Sequence, residues 1–127
     1  LRRSVKRTMA KHITLGKKGE ELARKYLEDK GYLILETNWR HDRDEVDIIA
    51  MDGDELVIVE VKTRSSDRYG EPEDDVSWAK EKFLIRATEA YLEEKDLDID
   101  SRFDIISIIL NENECRIKHI EDAFYPE

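Results

Sequence analysis

A single cysteine, Cys115, stands in this chain of 127 residues, so neither a disulfide framework nor a cysteine-based zinc cage is available. It reads as a small buried hydrophobe near a strand start, and a reducing cytosol is the expected compartment. Proline occurs twice and glycine five times. No Pro/Gly/Ser-rich linker, internal repeat or low-complexity tract divides the chain, which argues for one domain with one core. No apolar run approaches the length of a bilayer-spanning helix, and no apolar segment follows the basic N-terminal residues. Neither a membrane partner nor a secretory signal is therefore expected.

Acidic charge is abundant. The net charge is −9, which argues against a general nucleic-acid coat protein, but it is unevenly spread. Residues 1–18 hold Arg2, Arg3, Lys6, Arg7, Lys11, Lys17 and Lys18 without one acid, leaving 15 basic and 31 acidic residues for the remainder. Two readings of the arm at 1–13 stand: a segment that meets a polyanion locally, or a disordered solubilising tail. Residues 14–127 form the folded domain.

Periodicity places a helix over about 15–30, with Leu15, Leu22, Ala23, Tyr26 and Leu27 as its apolar stripe. Gly16 and Gly19 allow close packing beside that stripe, and Gly31 is a suitable residue to end the helix. Strands are expected at 32–37, 44–51 and 56–63. A polar loop follows, whose acids at 71–75 suit a helix N-terminus, then a helix over 76–94 and strands at 102–110 and 115–120. The order αβββαββ defines an α/β domain with a mixed sheet flanked by helices.

Chemistry concentrates in the second and third strands. On the third, Val57, Val59 and Val61 share one face, and Leu56, Ile58, Glu60 and Lys62 share the other. Asp52-Gly53 signals a hairpin. A two-residue loop sets Asp47 opposite Ile58, and a four-residue loop over 52–55 sets it opposite Glu60. Either register puts Asp47 on the face of Glu60 and Lys62. Glu-x-Lys is also what a solvated strand face carries. Here, however, both faces of the strand are mostly apolar, and a charge on such a strand needs a partner or a metal. Two carboxylates and an ammonium group on one patch can hold a divalent cation and stabilise negative charge.

Two helical charges are out of place. Glu20 borders the first helix's apolar stripe, at helical spacing with Ala23 and Leu27. Lys80 lies among Val76, Phe83, Leu84, Ala87 and Tyr91 on the inward face of the second helix. It either snorkels or reaches toward acids or a bound phosphate. Arg40, Arg43, Arg64 and Arg68 flank the charged patch as candidate phosphate contacts or solvated loop residues. His12, His41 and His119 share no ligand spacing and read as surface or loop residues. Trp39 and Trp78 read as packing residues in preference to base-stacking ones.

In order, the chain contains Leu-Gly-Lys-Lys-Gly-Glu-Glu-Leu-Ala at 15–23, Gly31-Tyr32, Asn38-Trp39-Arg40, Glu45-Val46-Asp47-Ile48-Ile49-Ala50, and Val59-Glu60-Val61-Lys62-Thr63-Arg64. Gly70-Glu71-Pro72, Val76 with Lys80 and Leu84, Arg102-Phe103-Asp104 and Ala123-Phe124 follow. This set resembles the YraN-type family of uncharacterised bacterial proteins, over roughly residues 14–125. That family shares the restriction-endonuclease-like fold and looks related to archaeal Holliday-junction resolvases. Where it usually has a glycine before Glu45, this chain has Asp44, which adds negative charge near the site.

The resemblance implies that Asp47 and Glu60 match the metal-binding acids of an Asp…Glu-x-Lys nuclease motif, that Lys62 matches its lysine, and that Glu20 matches an added helix acid. It also implies a Mg²⁺- or Mn²⁺-dependent endonuclease acting on structured or branched DNA. The alternative is a non-catalytic nucleic-acid-binding module on the same fold. A homodimer would suit a symmetric junction.

Overall fold

A computed structural model describes the backbone of residues 2–126 and the side chains of residues 15–126. The cations of the basic arm up to Lys11 therefore lie outside the described side chains. The elements are α1 (Arg2–Asp29), β1 (Leu33–His41), β2 (Asp44–Asp52), β3 (Glu55–Arg64), a 3₁₀ turn (Pro72–Asp75), α2 (Trp78–Glu94), β4 (Ser101–Leu110) and β5 (Cys115–Phe124). The expected order αβββαββ holds. The first helix begins earlier than its stripe suggested, and β1 and β5 each extend four residues further. The second helix starts at Trp78, two residues later than expected. Ser77 caps it by accepting the Lys80 N–H, so the acids at 71–75 form the 3₁₀ turn instead of the cap.

The five strands lie in the order β1-β2-β3-β4-β5. The β1–β2–β3 meander and the β4–β5 pair are antiparallel, and β3–β4 is parallel. A parallel pair needs a crossover, which α2 supplies. Period-two alternation along β3 then builds two cores. Val57, Val59 and Val61 pack with Ala23 and Leu27 of α1, and with Ile106 and Ile108 of β4. Leu56 and Ile58 pack with Phe83, Leu84, Ala87 and Tyr91 of α2, and with Phe103 of β4. With a helix on each face, β3 is a central strand buried on both sides.

Gly31 ends α1 at φ +93°, where a Cβ would be strained, and the Tyr32 N–H returns to the Leu27 carbonyl at 3.0 Å. Gly19 has a different purpose. A Cβ there would lie 1.8 Å from Thr63 Oγ1 and 2.8 Å from Thr63 Cβ, so α1 meets β3 by backbone approach at this point. Gly16 faces open space and has no such role. Gly19→Ala is expected to destabilise the fold by about 1–3 kcal/mol, read as a lowered melting temperature. An unchanged melt would mean that Thr63 turns aside freely.

Three expectations of burial are corrected. Cys115 is exposed, because the first residue of edge strand β5 has no layer above it. His119 is not a surface residue: its side chain is only 3% exposed and bonds Asp104 at 2.7 Å. Trp39 does pack, stacked on His41 and edge-on to Tyr91. Trp78 instead stands 71% exposed in the first turn of α2.

Candidate metal centre

The β2–β3 ladder runs from Asp52/Glu55 to Ile48/Val59. This is the register that sets Asp47 toward Glu60. Beyond that last pair, the side chain of Asp47 takes over from the backbone, and its Oδ2 accepts the Val61 N–H at 2.8 Å. Opposite Asp47 on β1, Asn38 adopts φ +50°, a left-handed conformation that asparagine tolerates better than most residues. Its Nδ2 donates to Glu20 Oε2 at 3.2 Å and to Glu45 Oε1 at 3.4 Å. Asn38 therefore gathers a carboxylate from α1 and one from β2 beside Asp47. One oxygen from each of Glu20, Glu45 and Asp47 lies within 4.8 Å of the others. A cavity of about 190 Å³, lined in part by Lys17, Glu20, Asn38 and Asp47, opens beside them. A larger cavity, about 840 Å³, lies elsewhere, between α1 and the β4–β5 turn.

Glu60 lies against Asp47 but outside that group of three. It is 2% exposed, and its Oε1 is the one buried side-chain polar atom among the described residues that no fixed hydrogen-bond donor reaches. Its Oε2 lies 3.7 Å from both Lys62 Nζ and Lys80 Nζ. Lys80 is drawn in further by Asp44 Oδ1 at 2.9 Å and the Glu45 carbonyl at 3.0 Å. It therefore reaches the acids and does not snorkel. Burial alone would lower its pKa, but the Asp44 hydrogen bond and the Glu60 charge outweigh that and raise it. Asp44, the departure noted in the sequence, is the residue that anchors this lysine.

The acids resist ionising together. Burial, then the Glu60 carboxylate through hydrogen bonding and charge, pushes Asp47 up to about 8. Burial also raises Glu20, with Asp47 and Glu45 adding repulsion against the Asn38 hydrogen bond. Closely spaced acids that must hold a proton when alone suit a hard cation that can replace it. All the donors are oxygens, which fits Mg²⁺ or Mn²⁺ better than zinc.

The flanking arginines do not converge. Arg40 pairs with Glu45 at 3.5 Å, and Arg43 borders a separate surface cavity with Asp44, Phe83 and Arg86. Arg64 binds Asp75 through two nitrogens, with Nε at 2.7 Å, and Arg68 lies over the Tyr69 ring. Sequence reasoning missed Glu45 and Asn38 as members of the cluster. Glu45 is readable as Asp47's same-face neighbour, but nothing local marks Asn38.

This set of acids and lysines on a sandwiched α/β sheet defines a candidate metal-binding domain. Residues 19–108 match the Uncharacterised protein family UPF0102, and the chain belongs to that family. It is 51% identical to a UPF0102 protein of Flavobacterium psychrophilum over 117 residues, covering 92% of this chain and 98% of that one. A relative from Bacteroides thetaiotaomicron is 49% identical over 118 residues, covering 93% and 98%. No helix among the described residues is long and apolar enough to cross a membrane.

Proposed function

We propose that this protein is a metal-dependent phosphodiester hydrolase of the restriction-endonuclease-like kind, an endonuclease acting on structured or branched DNA. The observation that carries the reading is the buried, unsatisfied Glu60 Oε1 beside Asp47, with two lysines at the other oxygen of Glu60. In the metal-free protein only a proton held on Asp47 can meet the Glu60 carboxylate there, and a hard cation would take that proton's place. Glu60, Asp47 and Glu20 would hold one Mg²⁺ or Mn²⁺, with Glu45 as a further oxygen donor. When bound, the ion would lower the pKa of water and offset charge on a phosphate oxygen.

The chain's own groups do the rest. Lys62, about one-third exposed, presents a fixed cation where a scissile phosphate would gather charge. Lys80, tethered by Asp44 and the Glu45 carbonyl, keeps the start of β2 in place against α2. Asn38 orients Glu20 and Glu45. Of the flanking arginines, Arg40, paired with Glu45, is the one that a contact places beside the acids, where it could meet a phosphate. The resemblance to junction resolvases directs the test to branched duplexes and to a dimeric enzyme.

The experiment is a panel of linear, flap and four-way DNA substrates with Mg²⁺ or Mn²⁺. Cleavage of branched substrates is expected, and Glu60→Gln should abolish it. Binding without cleavage by the wild-type protein under every metal condition would instead make it a nucleic-acid-binding module.

A further inference from the structure

The sheet face that carries Glu60 and Lys62 continues sideways across β4 and β5. Lys62 pairs with Ser107, which pairs with Lys118, and Arg64 pairs with Ile109, which pairs with Arg116. Directly paired residues share a face. Four cations, Lys62, Arg64, Arg116 and Lys118, therefore form two short rows leading away from the acids. In a protein of net charge −9 this is a concentrated basic surface.

The protein covers it with its own acids. Residues 65–77, joining β3 to α2, carry Asp67, Glu71, Glu73, Asp74 and Asp75 against one cation, Arg68. Asp67 takes Arg116 at 2.8 Å, Asp75 takes Arg64 at 2.7 Å, and Glu73 takes Lys118 at 2.5 Å. Glu73 also accepts the hydroxyl of buried Ser107 at 2.7 Å. Lys62 is left to Glu60. The Lys118 and Ser107 hydrogen bonds hold the Glu73 carboxyl below its usual range despite partial burial, and Asp67 is lowered by Arg116. Glu73 is the deep anchor. The Asp67–Arg116 and Asp75–Arg64 pairs are each roughly a third to a half exposed, and exposed pairs hold weakly.

We propose that Arg64, Arg116 and Lys118 form a binding surface for a nucleic-acid phosphate backbone, and that segment 65–77 is an acidic strap standing in for that backbone until nucleic acid displaces it. Spaced carboxylates on spaced cations reproduce the charge pattern of a phosphodiester chain. The surface extends the row of Lys62, so a bound backbone would run into the acid cluster. This rests on the nuclease reading only in taking the polyanion to be nucleic acid. The strap would slow non-productive binding to any passing duplex, because the duplex must first release the acids.

The test is binding, kept separate from cutting. Anisotropy titrations of a labelled DNA duplex, in EDTA across a salt series, compare the full-length protein with Asp67→Asn/Asp75→Asn. That variant releases the weak pins and leaves the Glu73 anchor. It should bind about tenfold tighter, with a salt slope steeper by about 0.9 for each cation freed. Adding Arg116→Gln to it should remove about 0.9 of that slope. In the wild-type protein, amides of the strap should exchange faster once duplex is bound.

Equal or weaker binding by the opened variant, or no binding by either protein, overturns the strap. So does a strap that stays as protected with duplex as without it. Tighter binding by the opened variant without cleavage in Mg²⁺ or Mn²⁺ would keep the strap and remove the nuclease reading. Cleavage with no gain in binding would do the reverse.

Discussion

Asp47→Asn is expected to abolish metal-dependent cleavage while making the metal-free protein more stable at alkaline pH. The two effects have one cause. Burial and the Glu60 carboxylate raise Asp47 to about 8 in the fold, against an ordinary value of 3.8. Between those limits the folded metal-free protein keeps a proton that the unfolded chain has released. Stability therefore falls as pH rises through the window from about 4 to about 8, and the full loss is present above it. Asparagine carries no charge at any pH, and its Oδ1 can still accept the Val61 N–H. The variant and wild type should melt together near pH 4.5, and the variant should gain on the order of a few kcal/mol by pH 9.

A divalent cation should reverse the wild-type trend. It replaces the proton, so its affinity should climb with pH up to about 8, and it should raise the wild-type melting temperature. Calorimetry should find no such binding in Asp47→Asn. A wild-type melt that is flat from pH 4.5 to 9 in EDTA would refute this account of Asp47.

How far the site was readable depends on whether its determinants are local. Alternation along β3 separates the valine face from the Glu60 and Lys62 face, and the two cores fall on those faces. Lys80 stands out as a charge in the middle of an apolar helix stripe, although the sequence left snorkelling open as its alternative. Asp47 is placed by hairpin register, although the sequence left two loop lengths open. The gathering of Glu20 and Glu45 was not readable, because it depends on the left-handed backbone of Asn38 and the backbone contact at Gly19. In the sequence, the strap has the pattern of a polar loop and helix cap. Its acids find their partners 11 to 49 residues away, beyond the reach of any local pattern.

The same limit hid the most heavily bonded charge among the described residues. Arg102, 8% exposed, donates Nε to Asp104 at 3.0 Å, Nη1 to Asp52 at 2.9 Å and Glu55 at 3.0 Å, and Nη2 to the Tyr32 hydroxyl at 2.5 Å. Asp104, with no exposed surface, also takes His119 Nε2 at 2.7 Å and the Asp122 N–H at 3.1 Å. Burial alone would raise Asp104, but the His119 and Arg102 hydrogen bonds hold it below the usual carboxylate range. Burial pushes the Tyr32 phenol up to about 12, so it stays a neutral partner. One guanidinium thus joins the start of β4, both sides of the β2–β3 turn and Tyr32, three residues beyond the end of α1.

Arg102→Met keeps much of the volume and leaves Asp104 without its buried cation. Removing one partner of such a pair is expected to cost about 3–5 kcal/mol, a fall in melting temperature of roughly 10–20 °C. Arg102→Met/Asp104→Leu should recover only part of that loss, because it avoids the stranded carboxylate but leaves His119 Nε2 and the Asp122 N–H without their acceptor. If Arg102→Met melts within a degree or two of wild type, the network is not what holds α1 to the sheet. The core packing of Ala23 and Leu27 and the contact between Gly19 and Thr63 would then position Glu20 without it.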